Sequence, residues 1–186
     1  MNKFHEVSKE FKKNEGETLL PVRSTKGSAG YDIFLKEDIV IPKTTVKNTQ
    51  IINFDGKEQS EILQELVELL NDSSKYLEIE YNQILTWTDV AIELDEDKYL
   101  SIVPRSSAGT KLGVSLANTE AVIDSDYINN KATGGNIGLC LKNFGNEDIV
   151  LKKGERIAQA KILSYHIVED DSATEERTGG FGSSGK

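Results

Sequence analysis

The chain alternates short apolar runs with turn residues along most of its length. Within several runs apolar and polar residues occupy alternate positions, and Gly, Asn, Asp or Pro separates one run from the next. A period of two residues is typical of β-strands, and many short strands at such spacing indicate a sandwich or a barrel. The sequence therefore predicts an all-β fold. The predicted strands are Tyr31–Leu35, Asp38–Ile41, Asp89–Leu94, Tyr99–Val103, Ile137–Leu141, Asp148–Leu151 and Ile157–Ile162.

One segment has a helical period instead. Between Asp55 and Asp72 the apolar residues recur at spacings of three and four, which predicts one amphipathic α-helix at about residues 57–71. Asp55 and Glu58 have the spacing of a capping box at its start. We expect this helix to pack on the β core or on a neighbouring subunit, although such a face also suits a binding partner. The apolar positions are Ile62, Leu63, Leu66, Val67, Leu69 and Leu70.

Composition restricts the classes of protein to be considered. Hydrophobic residues make up 37% and charged residues 28% of the 186 positions, as in folded domains rather than disordered chains. Met1–Gly16 is charged throughout, unlike a signal peptide, and no apolar run reaches the roughly 20 residues of a membrane span. Because Cys140 is the single cysteine, the chain cannot form an internal disulfide. Together with the two histidines, His5 and His166, it cannot supply the four ligands of a structural zinc site. We expect a cytoplasmic protein (of the host cell if a virus encodes it) that binds no membrane.

The net charge of −9 argues against binding nucleic acid through a basic surface. A small anionic ligand is still compatible with this charge, provided that a few cations are concentrated at its site. Pro104–Gly109 (PRSSAG) combines a guanidinium with two hydroxyls and turn N–H groups, all of which suit phosphate oxygens. Taken alone, it is better explained by an ordinary polar turn with a surface arginine.

Three further stretches carry residues that are suited to catalysis or ligand binding. In Asn118–Tyr127 (NTEAVIDSDY) an amide suited to a base edge precedes a carboxylate that can activate water and a ring that can pack on a sugar. Taken alone, this stretch is better explained by a β-hairpin whose acidic residues face solvent. Gly154–Gln159 (GERIAQ) predicts a tight turn before a strand. The end of the chain, Arg177–Gly185, combines a cation and an aromatic ring with glycines that allow close backbone approach.

In order and combination, these stretches resemble the five motifs of the trimeric dUTPase family. They are Gly27–Ile33 (GSAGYDI), PRSSAG, NTEAVIDSDY, GERIAQ and GGFGSSG, and the resemblance spans roughly Leu20–Ile41 and Thr86–Lys186. It implies a jelly-roll-like β-barrel that forms a homotrimer, with each active site built from more than one subunit. It also implies hydrolysis of dUTP to dUMP and pyrophosphate with Mg²⁺.

The resemblance assigns roles to individual residues. Asp124 is expected to orient and deprotonate the water that attacks the α-phosphorus. Asn118 is expected to read the uracil edge, and Tyr127 to lie against the deoxyribose and exclude a 2′-hydroxyl. Asp32 is expected to act on Mg²⁺ only through a coordinated water, with the metal held on the phosphates. The expected contacts of the triphosphate and of the closing arm are Arg105, Ser106, Ser107, Gln159, Arg177, Phe181, Gly182 and Ser183.

Three departures from the family pattern stand out. The chain is about 30 residues longer than typical members between Asp32 and Pro104, which defines an insert at 47–85 within a core of 1–46 and 86–170. Ile128–Gly134 is an extra loop beside the expected sugar pocket. In the arm, 171–186, Arg177 precedes Phe181 by one residue fewer than is common.

Two alternatives remain open at the level of sequence. A dCTP deaminase, or a bifunctional deaminase and dUTPase, shares the fold and some phosphate-binding residues, although the Asp124 and Tyr127 pair favours the diphosphatase. The second is a dUTPase whose insert also binds a regulatory protein partner.

Overall fold

The computed structural model of this chain describes residues 1–47, 55–71, 78–175, 177 and 179–180. Within these ranges, the regular structure consists of thirteen short strands, one α-helix, α1 (Gln59–Asn71), one π-helix (Ala108–Leu112) and one 3₁₀ turn (Ser125–Asn129). The strands are β1 (Lys3–Glu6), β2 (Tyr31–Phe34), β3 (Ile39–Ile41), β4 (Thr45–Lys47), β5 (Glu78–Glu80), β6 (Gln83–Trp87), β7 (Val90–Glu93), β8 (Lys98–Pro104), β9 (Val114–Leu116), β10 (Ala121–Asp124), β11 (Gly138–Asn143), β12 (Ile149–Leu151) and β13 (Arg156–Ser164).

Two antiparallel sheets form the centre of a jelly-roll-like β-barrel. The first has the order β10-β8-β13-β2, and the second has the order β6-β11-β9. Smaller pairs, β1-β7, β12-β3 and β4-β5, complete the described strands. Neighbouring strands of the first sheet are far apart in sequence, so residues from distant motifs come to lie side by side. The fold is therefore all-β, as predicted.

The core lies between the inward faces of these sheets. Leu100 and Ile102 of β8 are fully buried, as are Leu139 and Leu141 of β11 at 1% and 2% exposure. Alternation along β11 leaves Cys140 and Lys142 on the opposite, partly exposed face. Burial of each such aliphatic side chain stabilises the folded chain by roughly 1.5–3 kcal/mol. This rigid framework fixes the strand ends that carry the site residues.

All seven predicted strands are present, with ends that differ by one or two residues. The largest changes, of two residues each, are that β11 continues to Asn143 and β13 continues to Ser164. Six further strands were not predicted, among them β1 and β6. Their residues alternate weakly, and it is pairing with β7 and β11 that makes them strands.

The predicted capping box is wrong by one turn. Helix α1 begins at Gln59 rather than near residue 57, and the Glu61 carboxylate accepts a hydrogen bond from the backbone N–H of Glu58 at 3.2 Å. Part of the apolar face of α1 is exposed in the single chain, so the expected packing on the β core or on a neighbouring subunit stays a prediction. Leu63 and Val67 are 56% and 53% exposed.

The segment Asn118–Tyr127 is not a hairpin of two paired strands. Strand β9 pairs with β11 in one sheet, whereas β10 pairs with β8 in the other. Beyond β10 the chain enters a 3₁₀ turn, Ser125–Asn129. The segment therefore crosses between the two sheets, which opens a cleft at the crossing.

Candidate active site

A cavity of about 530 Å³ lies where the chain crosses from β9 to β10. Its walls come from β6, β10, β11, the 3₁₀ turn and the C-terminal segment. Asn118, Asp124, Tyr127 and Arg177 all line it. The structure thus brings together four of the residues that the sequence singled out.

Asn118 projects from a tight turn at one side of this cavity. The next residue, Thr119, has a φ of 64°, a left-handed conformation that is uncommon for a residue other than glycine. Hydrogen bonds from Thr119 N–H to Leu116 and from Glu120 N–H to Asn118 hold the turn at 3.0 and 2.6 Å. Strained backbone held in this way clusters at functional sites, and here it lies next to a residue that lines the cavity.

Asp124 and Tyr127 are placed by the end of β10 and the turn that follows. The Asp124 side chain is 48% exposed, so its carboxylate is open to water. Tyr127 is 7% exposed, and its hydroxyl donates a hydrogen bond to the backbone oxygen of Asn136 at 3.1 Å. Asp124 therefore presents an accessible carboxylate, and Tyr127 presents a buried ring that is fixed in position.

Arg177 lies over the same carboxylate. Its guanidinium pairs with Asp124 and donates from Nε to Asp126 Oδ1 at 2.7 Å, and it lies 5.9 Å from the centre of the Tyr127 ring. Burial opposes the charge, but the hydrogen bond and the two carboxylates outweigh it and raise the pKa of Arg177 above its ordinary value. Gly180 also belongs here, since a Cβ on it would meet Tyr127 at 2.9 Å. The described part of the arm therefore closes over this cavity.

A second group of predicted residues surrounds Asp32. Arg105 Nε lies 3.0 Å from Asp32 Oδ1, and Arg156 Nη1 lies 3.2 Å from Oδ2, which also accepts from the Ser24 hydroxyl at 2.7 Å. Burial favours the neutral acid, but the Ser24 hydrogen bond and the two guanidinium groups outweigh it and lower the pKa of Asp32. Gln159 pairs with Asp32 across β13 and β2. This group is rich in the donors that phosphate requires.

The loop after β8 adds hydroxyls next to that group. Ser107 lines a separate cavity of about 370 Å³ together with Arg105 and Arg156, while Ser106 is exposed beside it. The oxygens of Asp32 are engaged by two cations and a hydroxyl, so this carboxylate is poorly suited to bind a metal directly. Among the described residues, no cluster of three or more His, Cys, Asp or Glu could hold a metal ion.

The two groups lie at opposite ends of one sheet. Asp124 pairs with Tyr99 near the start of β8, whereas Arg105 follows the end of that strand. At about 3.4 Å per residue, their backbones are roughly 20 Å apart. Within one chain, the Asp124 group and the Arg105 group do not form one compact site.

Sequence reasoning missed five residues that line the first cavity, namely Gln83, Leu116, Gly138, Leu139 and Cys140. The pairing of β6 with β11 places Gln83, Gly138 and Cys140 at one cavity, because Leu85 of β6 lies opposite Cys140 and Trp87 lies opposite Gly138. Burial raises the pKa of the Cys140 thiol. Alternation along β11 could have indicated an outward-facing Cys140, but the strand beside it could not be predicted. Phe181, Gly182 and Ser183 lie outside the described residues.

Comparison with known proteins adds independent support. The family model for dUTPase matches residues 69–185 of this chain. The deoxyuridine 5'-triphosphate nucleotidohydrolase of Nautilia profundicola is 32% identical over 180 residues, covering 94% of this chain and 96% of that protein. The enzyme of the same name from Lactococcus lactis is 30% identical and covers 89% of this chain and 87% of its own length.

A solved structure agrees with these matches. The crystal structure of dUTPase from Streptococcus mutans superposes with a TM-score of 0.63 at 25% identity, and the match covers 89% of this chain and 98% of that one. No helix in the described part of the chain is long and apolar enough to cross a membrane. With its motifs, its fold and these matches in agreement, the chain belongs to the dUTPase family.

Proposed function

We propose that this chain hydrolyses dUTP to dUMP and pyrophosphate as a homotrimer in the cytoplasm of a cell or an infected host cell. The observation that carries the proposal is the shared cavity of Asn118, Asp124 and Tyr127. A base-reading amide, a water-accessible carboxylate and an apolar wall are the groups that hydrolysis of a deoxynucleotide requires. Membership of the dUTPase family supports the choice of substrate.

The cavity suggests how the nucleoside lies. Asn118 offers a donor and an acceptor to the uracil edge, and the Tyr127 ring covers the deoxyribose face. Asp124 then lies near the α-phosphorus, where its carboxylate orients a water and takes its proton. Water attacks phosphorus in line with the departing pyrophosphate, so one P–O bond forms as another breaks.

Charge on the leaving pyrophosphate must be stabilised by cations. Arg105, Ser106, Ser107 and Gln159 are suited to that task, but in one chain they lie roughly 20 Å from Asp124 by the strand rise. A second subunit that presents its Arg105 group to the Asp124 cavity resolves this separation. This is the reason, within the structure, for proposing a trimer with shared sites. Arg177 and the arm residues Phe181, Gly182 and Ser183 complete the proposed contacts.

Mg²⁺ belongs to the same proposal only as a group carried by the substrate. The Asp32 carboxylate already pairs with Arg105, Arg156 and Ser24, so we assign it no direct bond to the metal, only a contact through a coordinated water. When bound to the triphosphate oxygens, Mg²⁺ would neutralise their charge.

Replacing Asp124 with Asn tests the base. We expect D124N to bind dUMP normally and to lose turnover by about 10²–10⁴-fold, because a general base contributes that much. Pyrophosphate release from dUTP measures the loss. The D126N variant is the matched comparison, since it also removes a carboxylate that pairs with Arg177, and its loss should be far smaller. Normal turnover by D124N, or ammonia released from dCTP by the parent chain, would contradict the proposal.

A second role at the insert is favoured by one observation. Leu63, Leu66 and Val67 are exposed on one face of α1, at 56%, 36% and 53%. Apolar faces of this kind often mark interaction sites. Glu61 and Glu68 lie on the opposite side of the helix, so the face itself is apolar and the partner we propose is a protein with an apolar groove.

Deleting residues 53–75 tests this second role. We expect dUTP turnover to persist and binding of such a partner to disappear, as measured in parallel by kinetics and pull-down. The L63S/V67S variant should lose the partner as well, whereas Q64S/E68S, on the same helix, should retain it at moderate salt. If the deletion lowers turnover or breaks the trimer, the helix instead packs between subunits.

A further inference from the structure

Two polar residues that the proposed chemistry does not use are completely buried behind the sugar side of the cavity. Asp89 and Asn136 each have 0% exposure. Asn136 Nδ2 donates to Asp89 Oδ1 at 3.0 Å, and Asp89 N–H donates back to Asn136 Oδ1 at 3.0 Å. Asp89 has a φ of 56°, which a residue other than glycine rarely adopts. A buried polar pair with complete hydrogen bonding is rigid, because each group would be costly to leave unpaired.

The pair is connected on one side to the N-terminal segment. The Asp89 carboxylate accepts hydrogen bonds from the backbone N–H groups of Lys13 and Asn14 at 2.8 and 3.1 Å, and from Asn14 Nδ2 at 3.1 Å. Asn136 Nδ2 also donates to the backbone oxygen of Phe11 at 3.1 Å. Four hydrogen bonds, at Phe11, Lys13 and Asn14, therefore hold this segment against the barrel.

On the other side the pair is connected to Tyr127. The backbone oxygen of Asn136, whose amide is held by Asp89 and Phe11, accepts the Tyr127 hydroxyl at 3.1 Å. The extra loop of residues 128–134 runs between these two residues. A Cβ on Gly134 would lie 2.1 Å from the Phe11 ring, so the N-terminal segment also packs directly on this loop.

We propose that Asp89 and Asn136 are positioning residues that set the depth of the Tyr127 ring and thereby the discrimination between deoxyribose and ribose. This inference rests on the proposed function, in which the ring covers the sugar. Exclusion of a 2′-hydroxyl is steric, so it depends on the exact position of the ring. The hydroxyl of Tyr127 is fixed to the backbone oxygen of Asn136, a residue whose side chain is held by Asp89 and Phe11, and this prevents the ring from receding. The N-terminal segment thus contributes to substrate choice without touching substrate.

The variants N136A and N14A test the proposal. N136A removes the amide that connects Asp89 and Phe11 but keeps the backbone oxygen that accepts from Tyr127. N14A is milder, since it removes only the side-chain bonds to Asp89 and to the Trp87 oxygen. The matched control is N2A, because Asn2 is also an N-terminal amide bonded to an aspartate, Asp95, on the exposed surface.

The measurement is the ratio of kcat/KM for dUTP to kcat/KM for UTP. We expect N136A to lower this ratio about tenfold and N14A by about threefold to fivefold, the scale of one or two lost hydrogen bonds. N2A should leave it unchanged. In a Y127F background, which lacks the hydroxyl, N14A should have little further effect, because the two changes interrupt one connection.

Three results decide the matter. A ratio unchanged in N14A, with a lower melting temperature, would leave the pair as a structural tether and overturn the proposal. Additive effects of N14A and Y127F would overturn the route through the hydroxyl. If N136A fails to fold, N14A decides alone. A parent chain that does not hydrolyse dUTP would refute the proposed function instead, a result visible before any variant is made.

Discussion

At the scale of the residue, Arg177 can pair either with carboxylates of its own chain or with the phosphates of a substrate. Its guanidinium contacts Asp124 and Asp126, and we propose that it also binds the triphosphate. A cation can exchange carboxylate oxygens for phosphate oxygens at little electrostatic cost, because both are anions that accept from its planar N–H groups. Departure of Arg177 would then free the Asp124 carboxylate to bind water. One side chain can in this way connect arm movement to the state of the base.

The ion pairs of Asp32 lead to a prediction about the free energy of unfolding. In D32N, Arg105 and Arg156 lose their shared carboxylate, and we expect the free energy of unfolding at pH 7 to fall by about 2 kcal/mol. This is less than for a fully buried ion pair, because the two arginine side chains are 29% and 45% exposed. Denaturant unfolding measures the difference, and D170N, a change at an exposed position, should show none.

The pH dependence of that difference follows from the lowered pKa of Asp32. A carboxyl whose pKa is lower in the folded chain adds stability above its ordinary value, 3.8, and that stability is lost as the pH falls through the folded-state value. The gap between the parent chain and D32N should therefore close on acidification below about pH 4. A gap that stays constant down to acid unfolding would show that Asp32 acts through packing rather than charge.

At the scale of the element, the arm is the part whose removal is most informative. Ending the chain after residue 175 removes Arg177 and the glycine-rich segment, none of which belongs to the described strands. We expect the trimer to persist and kcat/KM for dUTP to fall by at least about 100-fold, since positioning and exclusion of water are lost together. Kinetics with sizing chromatography measures both, and a chain lacking only Lys186 is the control. Unchanged kinetics would make the arm a simple tail.

Helix α1 shows where element prediction from sequence succeeds and where it stops. The periodicity of its apolar residues is local, so its position was predicted within two residues at its start. What its apolar face contacts is not local. Leu63 and Val67 remain exposed in the single chain, and no spacing along the sequence indicates whether a subunit or another protein covers them.

At the scale of the whole molecule, the separation of Asp124 from Arg105 leads to a complementation experiment. If one subunit supplies Asp124 and another supplies Arg105, the inactive variants D124N and R105A should restore activity when they are refolded together. About a quarter of the sites in random mixed trimers would then contain both native residues. Steady-state turnover of dUTP after mixing measures the recovery.

The control for this experiment is a pair of variants that both alter the Asp124 cavity. D124N mixed with Y127A alters two residues that line one cavity of one chain, so mixed trimers should gain no activity. Recovery by this control pair, or none by D124N with R105A, would mean that the sites are not shared between subunits in the proposed way.

The sequence by itself determined what depends on neighbours along the chain. Alternation predicted the central strands, a period of three and four predicted α1, and five ordered motifs identified the family and most candidate site residues. Gln83 and Cys140 escaped notice because they join the cavity only through pairing of β6 with β11. The capping contact of α1 was misplaced by one turn, because several acidic residues near its start have equivalent spacing.

Only the tertiary structure decided which motifs meet. Asp124 and Arg105 are 19 positions apart in sequence and belong to one sheet, yet strand direction places them at opposite ends of it. Asp89 and Asn136, 47 positions apart, are instead joined by buried hydrogen bonds behind Tyr127. Contacts of this kind depend on sheet order and register, which arise from packing of the whole chain, and no local pattern of residue types encodes them.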